Sequence, residues 1–521
     1  MRRRFLTANR AQSFLLPPSI DDWVEEGHPV RFLHDCVDQF VLSEFISAYS
    51  REGGSPYDPK MMLTILLYAW CLGIRSSRKI AAACRERIDF RWAAGNLRPD
   101  HCAFARFFQR HGEAIKELFT QVLCLCARAG AIRLGVVSLD GTKVGSNASL
   151  SANRTLSRLR AEIERMEAEM RSHDAADDAR FGAGVSGDDL PAELRRVHER
   201  LERLRSAKER LELDLAAERV LSGESSSGRG PKESVSSPVC GEQGELPFGA
   251  GSGAAVEPSV NPAAPSDVSV ADGASAASSA RSAEAEQPEQ PDAKQSENKA
   301  EKKSRKKKKK KKDADEARVN VTDPESRIMK ARQGFVQGYN AQAVVTRDQF
   351  VVSCAVTREA NDLHQLEPML LETRRSLVKA GIKGLPRKLN ADAGYWRRDL
   401  EIEQLEQDGP KLFIATCNPK NQPKESPRGR IPKSATSEER MRRKLSTRAG
   451  RETYKHRSMT VEPVFGQIKE CLNARRFLRR GLEKAGQEWS LLCSCLNLRK
   501  LFLWLGKKKG GASLCRALAA G

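Results

Sequence analysis

One internal segment limits where this chain can form a globular fold. Between Val220 and Gly334 the sequence contains a single aromatic residue, Phe248, and is dominated by Ser, Ala, Gly, Pro, Glu and Lys. Such a composition buries too little apolar surface to offset the entropy lost on ordering a backbone. We therefore predict that residues 221–318 form a disordered, low-complexity basic linker. Folded domains have to be built from the sequence on either side of it.

The chain is strongly basic. It has 89 Lys and Arg against 68 Asp and Glu, a formal net charge of +21. Ten positive charges form one run at Lys302, Lys303 and residues 305–312, and removing these ten from +21 leaves +11. Because the rest of the chain is basic as well, we expect a polyanionic partner, and nucleic acid in particular. The run itself is compatible with either a phosphate-binding tail or a solvated linker.

The apolar pattern argues against a membrane protein. Apolar residues make up 39% of the 521 residues, and the longest apolar run, residues 61–74, is interrupted by Thr64. A bilayer span needs about 20 residues. The arginine-rich beginning has no signal-peptide pattern, and the 13 cysteines include no CxxC pair, so we expect reduced thiols in a cytoplasmic protein.

The first 130 residues have the pattern of short helices. Helices are predicted to begin near Pro59, Ser77, Asp100 and Glu113, and they are rich in arginine. Short helices separated by tight turns resemble a helix-turn-helix arrangement, although any small helical bundle has a similar pattern. We interpret residues 1–130 as a helical DNA-binding domain.

A strand and a helical insertion follow. Residues 131–150 contain an apolar run with a β-branched centre, which predicts a buried strand that ends at Asp140-Gly141. In residues 151–220, apolar positions alternate three and four apart on two segments, which predicts a coiled-coil helical hairpin, antiparallel and a possible site of self-association. The apolar positions are Leu156, Leu159, Ile163, Met166 and Met170, then Leu194, Val197, Leu201, Leu204, Leu211 and Leu215.

Residues 319–510 return to a folded pattern. Strand-like runs alternate with helical ones, residues 418–451 are predicted as a loop, and the chain is predicted to be helical from Thr460 onward. With the insertion set aside, the order predicts an α/β, ribonuclease-H-like domain with a mixed sheet, interrupted between its first and second strands. The predicted elements are strands at 335–346 and 350–358, a helix at 363–380, a strand at 388–391, a helix at 398–407 and a strand at 411–416.

Three acids stand out at predicted element boundaries. Asp140 follows the first strand, Asp392 follows the strand at 388–391, and Glu462 is predicted in a first helical turn capped by Thr460. Two divalent cations held by carboxylates can catalyse phosphodiester chemistry. Taken singly, an Asp-Gly pair is ordinarily a turn, and a Glu in a first turn ordinarily complements the helix dipole.

Taken together, the three acidic segments resemble those of bacterial insertion-sequence transposases with a DDE triad. The similarity is to the type named insertion sequence eleven-eighty-two and to the related fourth and fifth insertion-sequence groups. The segments that carry it are VSLDGTK at 137–143, LNADAGY at 389–395 and VEPVFGQIK at 461–469, with TDPES at 322–326, QGYNAQ at 337–342 and SPYDP at 55–59.

The resemblance implies a function. Asp140, Asp392 and Glu462 would be the catalytic residues and would bind two Mg²⁺ ions, with Mn²⁺ as a substitute. The enzyme would cleave at the ends of a mobile element and join the 3′-OH to target DNA. Its partners would be terminal inverted repeats and target DNA, bound by a homodimer in the bacterial nucleoid. Tyr454, Arg457 and Lys469 are the residues near Glu462 for which the resemblance implies DNA contacts.

Other interpretations stay open from the sequence. A DNA-binding regulator without catalysis explains the charge and the helices, but leaves the three acids unexplained. A nuclease that cuts without joining strands and a decayed transposase copy are further alternatives. Tyr395 and Trp396 are candidates for stacking on an unpaired base, although packing of the following helix is the favoured interpretation.

Overall fold

The structure is a computed structural model that describes residues 19–50, 55–181, 192–221, 317–331, 334–417, 429–432 and 434–509. The chain divides into two compact units, residues 1–216 with 313–521 and residues 217–312. Of the second unit, only the end of one helix, residues 217–221, is described. The predicted linker from 222 to 316, with its lysine run, lies outside the described residues. In the described part of the chain, no helix is long and apolar enough to cross a membrane.

A mixed β-sheet forms the centre of the first unit. Its order is β4-β5-β1-β7-β8. β6 also pairs with β5, at residues 340–345, after the stretch 334–338 that pairs with β4. β1 is antiparallel to β5 and parallel to β7, which is parallel to β8. The strands are β1 (Val136–Gly145), β2 (Asn153–Thr155), β3 (Arg318–Asn320), β4 (Arg327–Ala331), β5 (Gly334–Thr346), β6 (Val351–Thr357), β7 (Lys388–Ala391) and β8 (Lys411–Ile414).

Short helices precede the sheet, as the sequence predicts. The third is buried along most of its length, and its N-cap Asp58 accepts a hydrogen bond from Lys60 N at 3.0 Å ahead of Pro59 at the first helical position. The helices are α1 (Pro29–Asp38), α2 (Ser43–Ser47), α3 (Pro59–Cys71), α4 (Ser77–Glu86), α5 (Ile88–Ala93), α6 (His101–Arg110) and α7 (Gly112–Arg128).

Two long helices, α8 (Leu156–Phe181) and α9 (Ala192–Leu221), form the insertion after β1. Apolar residues at the predicted heptad positions, including Leu159, Leu201 and Leu204, are buried between them. Ion pairs join Arg160 to Glu212 at 2.8 Å and Glu167 to Arg205 at 2.6 Å. The residue number falls on α9 as it rises on α8, so the two helices are antiparallel.

The hairpin is closed at its base by the two-stranded sheet. The chain passes directly from β2 into α8, and β2 pairs with β3, which begins at Arg318. Val319 packs into the apolar core of the hairpin. Arg318 was predicted to be the last residue of the linker, but this cross-strand pairing orders it. Folded structure therefore resumes slightly earlier than composition predicts.

The remaining helices pack on the sheet and on the N-terminal helices. α14 contacts α7, α3 and β6, and its Trp489 donates a hydrogen bond to Gln342 O of β5 at 2.9 Å. This contact places the C-terminal helix between the helical part and the sheet. The helices are α10 (Leu366–Lys379), α11 (Ile402–Gln407), α12 (Ser437–Ser446), α13 (Arg448–Glu470) and α14 (Leu482–Lys509).

Two predicted boundaries were wrong. Asp140-Gly141 does not end β1, which continues to Gly145 because β5 pairs with it in unbroken register from Thr346 to Gly338. The predicted loop at 418–451 contains α12 and the first turn of α13, although residues 418–428 and 433 lie outside the described part. Thr436 and Thr447 cap these two helices through their hydroxyl groups, and ion pairs such as Arg442–Glu438 stabilise so polar a helix.

Candidate active site

Asp140 lies in the middle of β1, and α13 packs against this part of the strand. Its side chain is 15% exposed, and its carboxylate accepts hydrogen bonds from Gly141 N at 2.8 Å and from Arg457 Nη1 at 3.1 Å. Burial raises the pKa of Asp140 to about 7, the charge of Asp392 adds to the increase, and Arg457 opposes it. Asp140 is therefore an acid whose surroundings favour a compensating positive charge.

Asp392 follows β7 directly, as predicted, and caps a short 3₁₀ helix, Ala393–Tyr395. Its Oδ1 accepts a hydrogen bond from Gly394 N at 2.9 Å. Burial raises the pKa of Asp392, Arg457 and the Gly394 N–H oppose the change, and the charge of Asp362 adds to it. Since β1 and β7 are adjacent and parallel, Asp140 and Asp392 share one region of the sheet.

A third acid in this region, Asp362, was not predicted. It precedes α10, and its Oδ1 accepts hydrogen bonds from Asn340 Nδ2 at 2.6 Å and Gln342 Nε2 at 2.7 Å. Lys143 Nζ lies 3.5 Å from the same oxygen. The charge of Asp362 raises the pKa of both Asp140 and Asp392, so the three carboxylates form one electrostatic group.

One sequence signal could have located Asp362. Asn340 and Gln342 are two residues apart on a strand, so they face the same side, and both are fully buried. Buried amides require hydrogen-bond partners, and a pair of them on a predicted core strand indicates a polar group opposite. The sequence does not show that the partner is Asp362, because that contact depends on how the loop before α10 folds back.

Gly141 makes room for this group. A Cβ at this position would lie 2.4 Å from Gln342 Nε2 and 2.6 Å from Asp362 Oδ1. Those atoms are held by their own hydrogen bonds, and the Gln342 side chain also accepts one from the Tyr395 hydroxyl. Glycine is therefore required at this position by close packing, whereas the sequence suggested a turn.

Arg457 on α13 connects the acids. Besides Asp140, it contacts Glu462, with 3.6 Å between Nη2 and Oε1. Burial opposes the charge of Arg457, but the carboxylates and Tyr454 outweigh it, and the pKa of Arg457 is raised. Burial also raises the pKa of Tyr454, and the charge of Arg457 partly offsets that increase. Of the residues predicted near Glu462, Arg457 is the one that reaches Asp140 directly.

Glu462 is not in a first helical turn, so that prediction was wrong. α13 begins at Arg448, so Thr460 lies inside the helix and is not a cap. Its hydroxyl donates a hydrogen bond to Ser138 Oγ on β1 at 2.8 Å. The Glu462 side chain is 57% exposed. Pro463 suggested a helix start, but the helix tolerates it within its length.

The tolerance of Pro463 has a local cause. A proline inside a helix leaves the carbonyl four residues earlier, here that of Met459, without its usual partner. Gln349, in the turn between β5 and β6, donates its Nε2 hydrogen to Met459 O at 3.1 Å. The turn therefore replaces the missing helical hydrogen bond.

Lys469 lies two turns beyond Glu462 and is engaged with β1. Its Nζ donates to Thr142 Oγ1 at 2.6 Å and to Lys143 O at 3.1 Å. Burial lowers the pKa of Lys469. The side chain thus fixes α13 against the strand that carries Asp140.

Tyr395 and Trp396 pack into the interior. Tyr395 is fully buried and Trp396 is 9% exposed. Both rings belong to the main apolar core, as do Leu400 and Ile402 of the following segment, which agrees with the favoured interpretation that they pack the following helix. In this structure neither ring is available to stack on a base.

The donor set fits a hard divalent cation in its chemistry. Asp140, Asp392 and Glu462 offer carboxylate oxygens, and the first two are buried with like charges nearby, which a cation would relieve. Among the described residues, these acids do not form a group of three with all ligand atoms within 4.8 Å of one another. Arg457 supplies the positive charge beside them in this structure.

Two protein-family models match the chain. A transposase domain (DUF772) matches residues 18–110, and a transposase DDE domain matches residues 415–502. The first covers most of the N-terminal helices, and the second covers Tyr454, Arg457, Glu462 and Lys469. Both matches support a transposase family. No curated protein and no solved structure matched the chain.

Proposed function

We propose that this protein is a DNA transposase of the insertion-sequence eleven-eighty-two type, which cleaves at the ends of its element and joins them to target DNA. The observation that carries the proposal is that Arg457 contacts both Asp140 and Glu462, while Asp392 directly follows the strand next to that of Asp140. Three acids from distant segments are thereby associated in a basic chain. Charge and helices alone do not account for that arrangement.

The sheet supports a ribonuclease-H-like catalytic domain. The succession β6, β5, β1, β7 and β8, antiparallel for the first three and parallel for the last three, agrees with that fold. Asp140 lies on β1, and Asp392 directly follows β7, the parallel neighbour of β1. The proposal therefore places the chemistry at the middle of the sheet, beside α13.

Asp140, Asp392 and Glu462 would hold the metal, which we propose to be two Mg²⁺ ions. When bound, the ions would activate the attacking oxygen and stabilise the leaving one. Asp362 adds a fourth carboxylate next to this group, and Lys143 limits its excess of negative charge. Glu462 is 57% exposed and contacts Arg457, which also contacts Asp140.

The chain's own residues would position the DNA strand. In the first step, water attacks phosphorus, the bond to the 3′ oxygen breaks, and that oxygen takes a proton to become a 3′-OH. In the second, this 3′-OH attacks a target phosphodiester, a new P–O bond forms and the target's own 3′ oxygen leaves. We propose that Arg457 and Tyr454 orient the reacting phosphate, while Lys469 holds α13 against β1.

Plasmid cleavage tests the proposal. The substrate is a supercoiled plasmid that carries the DNA flanking this gene, with Mg²⁺, and the variants are Asp392→Asn and, as a matched control, Asp348→Asn in the exposed turn after β5. We expect metal-dependent nicking at the ends for the wild type and the control, and none for Asp392→Asn, with DNA binding kept. Equal cleavage by all three would remove the catalytic assignment. Cleavage without joined products would leave a nuclease.

A further inference from the structure

A cleft with a cationic rim and an apolar floor lies apart from the acidic group, where the N-terminal helices meet α14. Its volume is about 550 Å³, and α3, α4, α6, α14 and the segment that follows α13 line it. Four cations and one acid face it, namely Arg75, Arg479, Arg480, Lys484 and Glu488. The proposed reaction uses none of these residues.

The negative charge of Glu488, the single acid of the cleft, is balanced by residues of the cleft itself. Glu488 is buried and accepts hydrogen bonds from Arg75 Nη2 at 2.9 Å, from Leu478 N at 2.9 Å and from Arg479 N at 2.7 Å. Arg479 stacks over the Phe108 ring, 4.7 Å from its centroid. The charge of Arg479 also lies near Glu488, whereas neither Arg480 nor Lys484 forms an ion pair with that acid in the described part of the chain.

Two further features of the cleft favour an anion. The N-terminus of α4, a helix of 10 residues, opens here through Ser77, and its N-cap Ser76 makes no side-chain cap hydrogen bond. The first N–H groups of a helix carry partial positive charge. Independently, Arg75 Nε is buried without a hydrogen-bond partner in the described part of the chain, on a side chain only 5% exposed.

We propose that this cleft binds the phosphate backbone of duplex DNA, away from the reacting phosphodiester. The proposal rests on the proposed function and adds a site to it. A DNA duplex suits the cleft because the cationic surface continues past its rim: Arg476 donates to Asn147 Oδ1 and Arg480 to Asn147 O, each at 3.0 Å. A backbone that passes along this rim would meet several cations in succession.

The cleft has a defined position relative to the acids. Asn147 lines it two residues after β1 ends, and Asp140 lies on that same strand. At about 3.3 Å per residue, the two are separated by at most roughly 23 Å along the chain. That length corresponds to about seven steps of a DNA strand at roughly 3.4 Å each. The cleft would therefore hold phosphates within one helical turn of the cut.

A paired charge-removal experiment tests the cleft. The variant is Arg480→Gln with Lys484→Gln, two exposed residues whose loss leaves the Arg75–Glu488 pair intact. The control is Arg375→Gln with Lys379→Gln, which makes the same charge change on exposed positions of α10. The affinity of the full chain for a fluorescent DNA duplex is measured by anisotropy over a range of KCl concentrations, and the melting temperature checks folding.

We expect the cleft variant to bind duplex DNA on the order of tenfold more weakly near physiological salt. Its slope of log affinity against log salt should be smaller by about 2. The control should stay close to the wild type, and the charge-preserving variant Arg480→Lys with Lys484→Arg should bind as the wild type does. Wild-type affinity in the cleft variant, with unchanged melting temperature, would overturn the proposal.

Two arms separate this site from its alternatives. Inorganic phosphate is titrated as a competitor: if it binds the wild type but the cleft variant still binds duplex normally, the cleft holds free phosphate and the DNA assignment is wrong. The cleavage assay is run in parallel. Normal cleavage with unaltered binding in the cleft variant rejects the cleft alone, whereas weakened binding with no wild-type cleavage rejects the catalytic function alone.

Discussion

Asp140 is an acid whose surroundings oppose its ionisation. It lies inside a strand, close to two other carboxylates, with one guanidinium as partner. Because its pKa in the folded protein is about 7 against an ordinary 3.8, the folded chain holds a proton there more tightly than the unfolded chain does. The stability that this proton gives is present below about pH 4 and is lost as the pH rises to about 7.

The substitution Asp140→Asn tests this. In metal-free buffer with chelator, we expect the variant to gain stability relative to the wild type between about pH 4 and 7, by roughly 2–4 kcal/mol at the upper end. Chemical denaturation at several pH values measures the difference. The same exchange at exposed Asp348 is the control, and parallel pH profiles for wild type and Asp140→Asn would contradict the prediction.

Asp362 gives a second prediction at this scale. Asp362→Asn keeps an oxygen to accept from Asn340 and Gln342 but removes the charge, so we expect normal folding and cleavage slower by about tenfold or more. Asp362→Ala also leaves two buried amides without their acceptor, which should cost about 1–3 kcal/mol. Cleavage rates and unfolding curves measure the two effects. Wild-type cleavage by Asp362→Asn would remove this acid from the site.

The residues of the site were predictable to different degrees. Asp392 could be placed from sequence, because an acid after a short buried strand has no packing role there. Asp140 was identified, but its position in the strand was wrong, since an Asp-Gly pair is typical of turns and pairing with β5 overrides that preference. Asp362 was not identified, because its importance arises only from contacts with a strand 20 residues earlier in sequence.

At the scale of elements, α13 shows how a turn and a helix depend on one another. Gln349 has φ of +65°, a conformation that residues other than glycine rarely adopt. It donates to Met459 O, and its own Oε1 accepts from Lys500 at 2.9 Å. The turn therefore bonds the helix at the point where Pro463 removes a backbone donor.

A double-mutant cycle tests that dependence. Gln349→Ala should destabilise the chain by about 1 kcal/mol, because a helical carbonyl loses its partner. In a Pro463→Ala background, where the residue-463 N–H can bond Met459 O, the same change should cost less. Urea unfolding of the four proteins gives the coupling. Additive effects would show that the turn and the proline act independently.

Elements were predictable where the pattern was local. The strand at 388–391, the hairpin of β5 and β6, and the apolar positions between α8 and α9 follow from periodicity. The beginning of α13 at Arg448 does not follow from periodicity, because Pro463 is a strong signal for a helix start. The contact that compensates for the proline comes from Gln349, more than a hundred residues away in the sequence. β2, β3 and β4 are short, and tertiary contacts decide them.

At the scale of the whole molecule, the two described elements that flank residues 222–316, α9 and β3, are each held by contacts with the rest of the fold. Asp214 on α9 pairs with Arg358 at 3.0 Å and also with Arg327 on β4, while Val319 packs among the hairpin's apolar residues. These contacts hold α9 to the central sheet and β3 to the α8–α9 hairpin. The segment between them can therefore be shortened without moving either element.

Replacing residues 222–312 by a short Gly/Ser linker should leave cleavage intact. It should weaken non-specific DNA binding, on the order of tenfold or more near physiological salt, because the ten clustered positive charges of the lysine run are lost; the 13 acids and five other cations of the segment lie outside that run. Plasmid cleavage and duplex binding measure the two effects. A well-folded deletion protein without cleavage would contradict this prediction, and a matched variant with only the lysines changed to glutamine would assign the binding loss to charge.

The interruption between β1 and β5 also has a consequence during synthesis. The two strands pair along their length, yet roughly 190 residues separate Gly145 from Gly334. At about 5–20 residues per second, β1 leaves the ribosome roughly 10–40 s before its antiparallel partner exists. During that time the backbone N–H and C=O groups of the apolar strand β1 are unpaired, so β1 can pair with strands of other chains. Folding of the α8 and α9 hairpin in the meantime would hold the end of β1 close to where β5 arrives.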